Sequence, residues 1–310
     1  MLCLEAILGA DAGCAYAQTV LIESRSVKLT TRTGVAVDRT IPHAKLKTIG
    51  AWCFIDHFGP TEQTDGMVVA AHPHTGLQTV TWLFEGEVEH RDSIGSVQLI
   101  RPGQLNLMTA GNGISHSELS LATTEFLHAV QLWVALPTEA MSIAPAFEHQ
   151  DGLPTAGQGG LVAKVLIGEF IGVRAPTTSY SDMVGAELRL EPGRHVIQAR
   201  SDYEYGILLV AGDISTGGDQ LPLSGLKYFR PGEHELVLET ESGALAMLVG
   251  GVPFGERILM WWNFIGRTHE DIAMAREQWN ARDNRFGQFE DNIGGWIPAP
   301  DLPNVRLNAR

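Results

Sequence analysis

Through the first half of the chain, short apolar runs rich in Val, Leu, Ile, Thr and Trp are broken by turn residues every few positions, a grammar of strands rather than helices. Residues 77–84 (LQTVTWLF) read as one strand, Gly86 as the turn after it, 87–92 as the returning strand and 93–96 as the next turn. Strands at 97–100 and 105–109 continue the series across Arg101-Pro102-Gly103-Gln104, where proline fixes φ and glycine accepts positive φ. Many short strands of this kind predict an all-β sandwich or barrel.

The segment 150–160 (QDGLPTAGQGG) is rich in glycine and carries Pro154, which suits an exposed linker, and a domain boundary is placed there. Strand grammar then resumes at 161–167, 186–190, 207–210 and 236–238, with turns at Pro192-Gly193, Gly212-Asp213 and Pro231-Gly232. The repeated layout of strand, Pro-Gly turn and strand suggests an internal duplication. Near the end the period changes. Thr268 stands three residues ahead of Asp271 as a capping box, and Ile272, Ala275 and Trp279 form an apolar stripe, which predicts a helix over 270–283 packed on a barrel wall. The division expected is an N-terminal extension (1–24), a first domain (25–150), a second (151–265) and a helix with tail (266–310).

Composition narrows the classes. The 310 residues, 44% of them hydrophobic, suffice for two packed cores. A net charge of −14 repels phosphate backbones and anionic membrane surfaces, so no direct nucleic-acid partner is expected. The three cysteines, Cys3, Cys14 and Cys53, form neither a CxxC pair nor an even disulfide framework, which fits a reducing, cytoplasmic setting. Ala15-Tyr16-Ala17 resembles a cleavage site, but Glu5 and Asp11 interrupt the apolar run and no Lys or Arg precedes it, so a poorly ordered extension is expected rather than a signal peptide. No apolar stretch is long enough to predict a membrane span.

The chemistry concentrates in two short motifs. His72-Pro73-His74 sets two imidazoles at i and i+2, and 42 residues after His74 comes His116-Ser117-Glu118 with the same spacing. On extended chain each pair leaves one face. One such pair on a strand carries little by itself. If both pairs face the inside of one barrel, three nitrogens and one carboxylate oxygen converge, a set suited to a divalent transition metal with about two of six positions open.

These same residues carry a family resemblance. The stretches 72–93 (HPHTGLQTVTWLFEGEVEHRDS) and 101–118 (RPGQLNLMTAGNGISHSE) closely resemble the pirin family of cupins, as do CFIDHFGP (53–60), QLWVALP (131–137) and MWWNFIGRTHEDI (260–272). The resemblance implies a bicupin, two jelly-roll β-barrels followed by a C-terminal helix. It implies one mononuclear iron, Fe(II), in the N-terminal barrel on His72, His74, His116 and Glu118, and no metal in the second, where His195 and His234 lack a partner two residues away. The same donor types accept manganese, nickel, copper or zinc. Gln78 stands where the general cupin pattern often has a Glu ligand and is read as lining the pocket or packing its strand.

Other conspicuous residues receive plainer readings. His90 and Asp92 are assigned to a solvated hairpin face, His57 to a structural place near the pocket mouth, and Trp261-Trp262 to core or interface packing. His128 stands open between a partner of a ligand imidazole and a satisfied barrel histidine. Cys53 is read as a small buried hydrophobe. By resemblance the activity expected is that of a quercetin 2,3-dioxygenase, with a polyphenolic substrate, dioxygen, and Glu118 as ligand and base. The alternative is an iron-dependent redox switch that binds a protein partner.

Overall fold

The computed structural model describes residues 19–29, 36–62, 67–121, 126–288 and 295–309. The first half supplies β1 (Thr19–Ile22), β2 (Arg25–Lys28), β3 (Ala36–Ile41), β4 (Trp52–Glu62), β5 (Val68–His74) and β6 (Leu77–Glu85). It continues with β7 (Val88–Asp92), β8 (Val97–Ile100), β9 (Leu105–Thr109), β10 (Ile114–Ser120), β11 (Phe126–Ala135) and β12 (Ala146–Gln150). The second half supplies β13 (Thr155–Gln158), β14 (Leu161–Phe170), β15 (Val173–Arg174), β16 (Met183–Leu190), β17 (Gly193–Gln198) and β18 (Glu204–Gly212). After these come β19 (Ser215–Thr216), β20 (Asp219–Gln220), β21 (Leu226–Phe229), β22 (Glu235–Thr240) and β23 (Ala244–Gly251). A small hairpin, β24 (Leu259–Trp261) and β25 (Phe264–Gly266), leads into the helix α1 (His269–Asn280).

Each half is a jelly-roll sandwich of two antiparallel sheets whose edges stay open. In the first, β12-β9-β6-β11-β4-β3-β2 covers β5-β10-β7-β8; in the second, β1-β21-β18-β23-β16-β14-β13 covers β17-β22-β19-β20. Phe58, Leu83 and Ala129 of one large sheet share a core with Val88 and Ile100 of the small sheet beneath it. Leu188, Ile207 and Leu248 do the same over Ile197, Leu236 and Leu238.

Both faces of each large sheet are covered, because alternate residues point to opposite sides. Along β6, Thr81 and Leu83 turn into the first sandwich, whereas Val80 and Trp82 join a core between the two halves with Ile55, Val130, Leu132, Ile167, Leu208, Met247 and Val249. Trp52 locks that junction: its Nε1 donates to the carbonyls of Val184 (3.0 Å) and Gly250 (3.3 Å). Its ring lies so close to Gly185 that a Cβ there would stand 2.7 Å from Cζ2. Trp82 Nε1 donates to Glu187 Oε2 at 2.8 Å across the same junction.

Three expectations are revised. The segment read as a linker holds β13, which pairs with β14 from Thr155↔Lys164 to Gln158↔Leu161. Gly159 and Gly160 both adopt positive φ (53 and 78°), so the glycine-rich stretch is a two-residue hairpin turn. Residues 19–22, placed in the N-terminal extension, form a strand paired with β21 of the second sandwich; residues 1–18 lie outside the described residues. The helix has the capping box expected at Thr268 and buries Ile272, Ala275 and Trp279. That stripe packs on Leu259 and Phe264 of the small hairpin and on Phe286 and Ala299 rather than on a wall of a large sheet. Among the described residues, no helix is long and apolar enough to cross a membrane.

Candidate metal centre

Strand β10 lies between β5 and β7, with Ile114 opposite His74 and His116 opposite His72. Pro73 is tolerated because β5 is the edge of its sheet, where a missing N–H removes no ladder bond. Alternation turns His72 and His74 to the same side, and His116 meets them. The three rings stand with centroids 4.3 to 5.0 Å apart, and one nitrogen of each lies within 4.8 Å of the others. His74 Nε2 and His116 Nε2 face each other at 3.1 Å.

All three rings are buried and neutral. Burial brings His72 down to about 4, with the Ala70 carbonyl opposing the shift. Burial holds His74 and His116 well below the ordinary imidazole value, and a proton on either would be repelled by one on His72. His72 Nδ1 donates to the Ala70 carbonyl at 2.8 Å, which leaves its Nε2 with a bare lone pair. Neutral imidazoles with free nitrogens crowded this closely are the form in which histidine binds a metal, so the residues fit such an ion.

Glu118 is brought to the same pocket but not into the same knot of atoms. Its carboxylate groups with His90 and His116, and its Oε1 lies 3.4 Å from Thr81 Oγ1, whose one hydrogen is shared with the nearer Gln131 Oε1 at 2.9 Å. Burial raises the Glu118 pKa, opposed by His90 and the Thr81 hydroxyl.

The three histidines and Glu118 line a cavity of about 380 Å³. One wall is aromatic: Phe54 and Trp133 stack at 4.0 Å and 13°, and the edge of His74 meets Trp133 at 5.1 Å. Arg39 lies over Phe54 at 4.2 Å and grips Asp56 with two hydrogen bonds of 2.6 and 2.7 Å. Met260, Trp262, Asn263 and Ile297 arrive from the C-terminal segment.

Several sequence readings change here. Gln78 does not line the cavity: fully buried, it donates to Thr109 Oγ1 and to the Thr178 carbonyl of the second half, because even positions of β6 face the junction. His90 and Asp92, assigned to a solvated face, are both 3% exposed. The period-two run Val88, His90, Asp92 was the available signal, masked by the charged Glu89 and Arg91 between them. His57 points away from the cavity to Ser224 Oγ (2.8 Å) and His128 Nε2 (2.8 Å), so His128 partners His57 and no candidate ligand. Trp262 both packs near the helix and lines the cavity. Burial pushes the Cys53 thiol up to about 12, as its reading as a small hydrophobe requires. His195, in the second half, donates through Nε2 to the Glu191 carbonyl at 2.8 Å.

Known proteins resemble this chain in sequence and fold. The family model described as Pirin matches residues 34–134, and the one described as Pirin C-terminal cupin domain matches 185–287. A Pseudomonas aeruginosa protein named "Putative quercetin 2,3-dioxygenase" is 44% identical over 274 residues, 87% of each chain. A "Pirin-like protein" of Caulobacter vibrioides is 36% identical over 275 residues, 86% of this chain and 94% of its own. The crystal structure of quercetin 2,3-dioxygenase from Acinetobacter baumannii superimposes with a TM-score of 0.89 at 40% identity, over 93% of this chain and 97% of that one.

Proposed function

The chain belongs to the pirin family, and from that premise we propose that it is a mononuclear metal dioxygenase of flavonol-type substrates. In this reading His72, His74, His116 and Glu118 hold one divalent ion, iron(II). The observation that carries it is the meeting of three buried, neutral imidazoles at the wall of a cavity of about 380 Å³ with a flat aromatic side. That volume lies within the range of small-molecule sites. When bound, the ion supplies Lewis acidity and a template for substrate and dioxygen.

The residues divide the remaining work. The Phe54–Trp133 pair gives the cavity an aromatic wall, and apolar Phe58, Met67 and Val69 exclude water around it. Glu118 accepts the proton of the flavonol 3-hydroxyl; burial raises its proton affinity toward that task, and Thr81 holds its Oε1. Among the described residues the cavity takes no side chain from 151–257, which leaves the second sandwich the role of backing the first through their common core.

Oxygen uptake and carbon monoxide release with quercetin on the iron-loaded protein test the reading. Turnover is expected, and His74→Ala should remove most of both the metal and the activity. Iron-loaded protein that leaves quercetin and oxygen untouched would sink the dioxygenase assignment and favour a redox-dependent regulatory module instead.

A further inference from the structure

His90 and Asp92 lie buried on one face of β7, His90 against the ring of His116 and Asp92 behind it, yet neither lines the cavity. The register places them there. With β10 between its two neighbours, His116 has His72 opposite on one side and Asp92 on the other, and Glu118 has His90. The polar atoms form a chain. Asp92 Oδ1 accepts the backbone N–H groups of Ile94 (3.1 Å) and Ser96 (2.9 Å), and its Oδ2 lies 3.1 Å from His90 Nε2. His90 Nδ1 in turn lies 3.3 Å from His116 Nδ1. Phe147 stacks on His90 at 4.6 Å and 17°, which keeps the imidazole from turning away.

The hydrogens in this chain can be placed by elimination. A carboxylate that holds two backbone donors acts as an acceptor, so His90 Nε2 carries its hydrogen. In its neutral form His90 has only one, so its Nδ1 is then bare and can only accept. The nitrogen facing it, His116 Nδ1, therefore carries the hydrogen, and His116 Nε2 turns its lone pair toward His74 and His72.

We propose that His90 and Asp92 are positioning residues of the metal centre, fixing His116 in the tautomer and orientation in which Nε2 donates to the ion. The inference rests on the metal-binding reading of the three histidines given above. A carboxylate behind a ligand histidine raises the ligand's basicity and fixes its ring. Here the carboxylate acts at one remove, through a second imidazole.

Asp92→Asn tests the chain with little change of shape. The Ile94 and Ser96 amides hold the new carbonyl oxygen, so the amide NH₂ faces His90 Nε2 and reverses every hydrogen down the line, leaving His116 Nε2 protonated. Cobalt(II) is titrated into metal-free full-length protein against a competing chelator, and the visible spectrum reports the coordination. Asp92→Asn and His90→Phe are each expected to weaken cobalt binding about 10–100-fold. The double variant is expected to bind no more weakly than His90→Phe alone, since the carboxylate reaches His116 only through that ring. Cobalt affinity within about twofold of the parent in both single variants, or losses that add in the double, would overturn the proposal. Should the variants fail to fold, the parent decides the matter. Nitrogen-15 histidine NMR of the metal-free protein should show His116 protonated on Nδ1 and His90 on Nε2, and the opposite tautomers overturn the inference. A parent that binds no cobalt overturns the metal-centre reading and this inference with it; the other outcomes overturn this inference alone.

Discussion

Acid should loosen the junction between the two sandwiches through His57. The ring is 1% exposed, and its Nδ1 lies 2.8 Å from Ser224 Oγ, whose hydrogen goes to Asp38 Oδ2 at 2.9 Å. His57 Nδ1 must then donate to the serine, and His57 Nε2 must accept from His128 Nε2 at 2.8 Å. A second proton on His57 would break that last bond. Burial brings the His57 pKa down to about 4, the charge of His128 lowers it further and Asp38 opposes. An unfolded histidine titrates near 6.5. The folded value is the lower one, so this contribution to stability is fully present above pH 6.5 and is lost as pH falls through about 4. At 1.36 kcal/mol per pH unit the whole effect is on the order of 3 kcal/mol, with about 2 kcal/mol gone by pH 5. Urea unfolding of the metal-free protein and of His57→Gln, at about pH 7.5 and about pH 5, isolates it, since both proteins share every other histidine. The parent should lose about 2 kcal/mol more than the variant over that interval. Parallel losses, within about 0.5 kcal/mol, would refute the argument.

Other substitutions probe the fold. Gly185→Ala drives a methyl group to 2.7 Å from the Trp52 ring and should destabilise the protein by about 1–3 kcal/mol, measured by urea unfolding, whereas an unchanged midpoint would mean the Trp52 ring can move aside. Trp82→Phe removes the donor to Glu187, a carboxylate only 4% exposed, and should cost about 1–3 kcal/mol; loss of no more than a few tenths would show that Arg189 suffices to satisfy it. Thr268→Ala removes one of the two capping-box bonds and should lower stability by about 1 kcal/mol, with hydrogen exchange accelerated in the first turn of α1.

The strands from 77 to 109 were legible because each turn residue needed its own backbone geometry. Gly86, Gly95 and Gly103 all adopt positive φ where the chain reverses. The grouping of His72 with His74 was legible for a related reason: period two on extended chain decides which side chains share a face, whatever surrounds them. What covers a face is not local, and there the sequence fell short. Val88-Glu89-His90-Arg91-Asp92 has one charged and one mixed side, and only the large sheet and Phe147 lying over β7 make the mixed side the buried one. Gln78 misled in the same way, since β6 is covered on both faces and its even positions meet the second half. Trp262 and Ile297 reach a cavity founded on residues 72 and 74 from about two hundred residues further along the chain, a distance no pattern in a short window records.

Those distant contacts give the pocket a history. His72 and His74 leave the ribosome early, but the cavity they line is completed by Met260, Trp262, Asn263 and Ile297, while Ala71 pairs with Trp296 and the Ser115 hydroxyl donates to the Phe286 carbonyl. At synthesis rates of about 5–20 residues per second, roughly 10 to 45 seconds separate the first histidine from the last wall residue. During that interval the imidazoles stand in an unfinished, wetter recess. β1 waits as well, since its partner β21 is made some two hundred residues later. The pocket can therefore be completed only after most of the chain has been made, so a chain that stops short of residue 260 would keep the histidines and lack the wall that covers them.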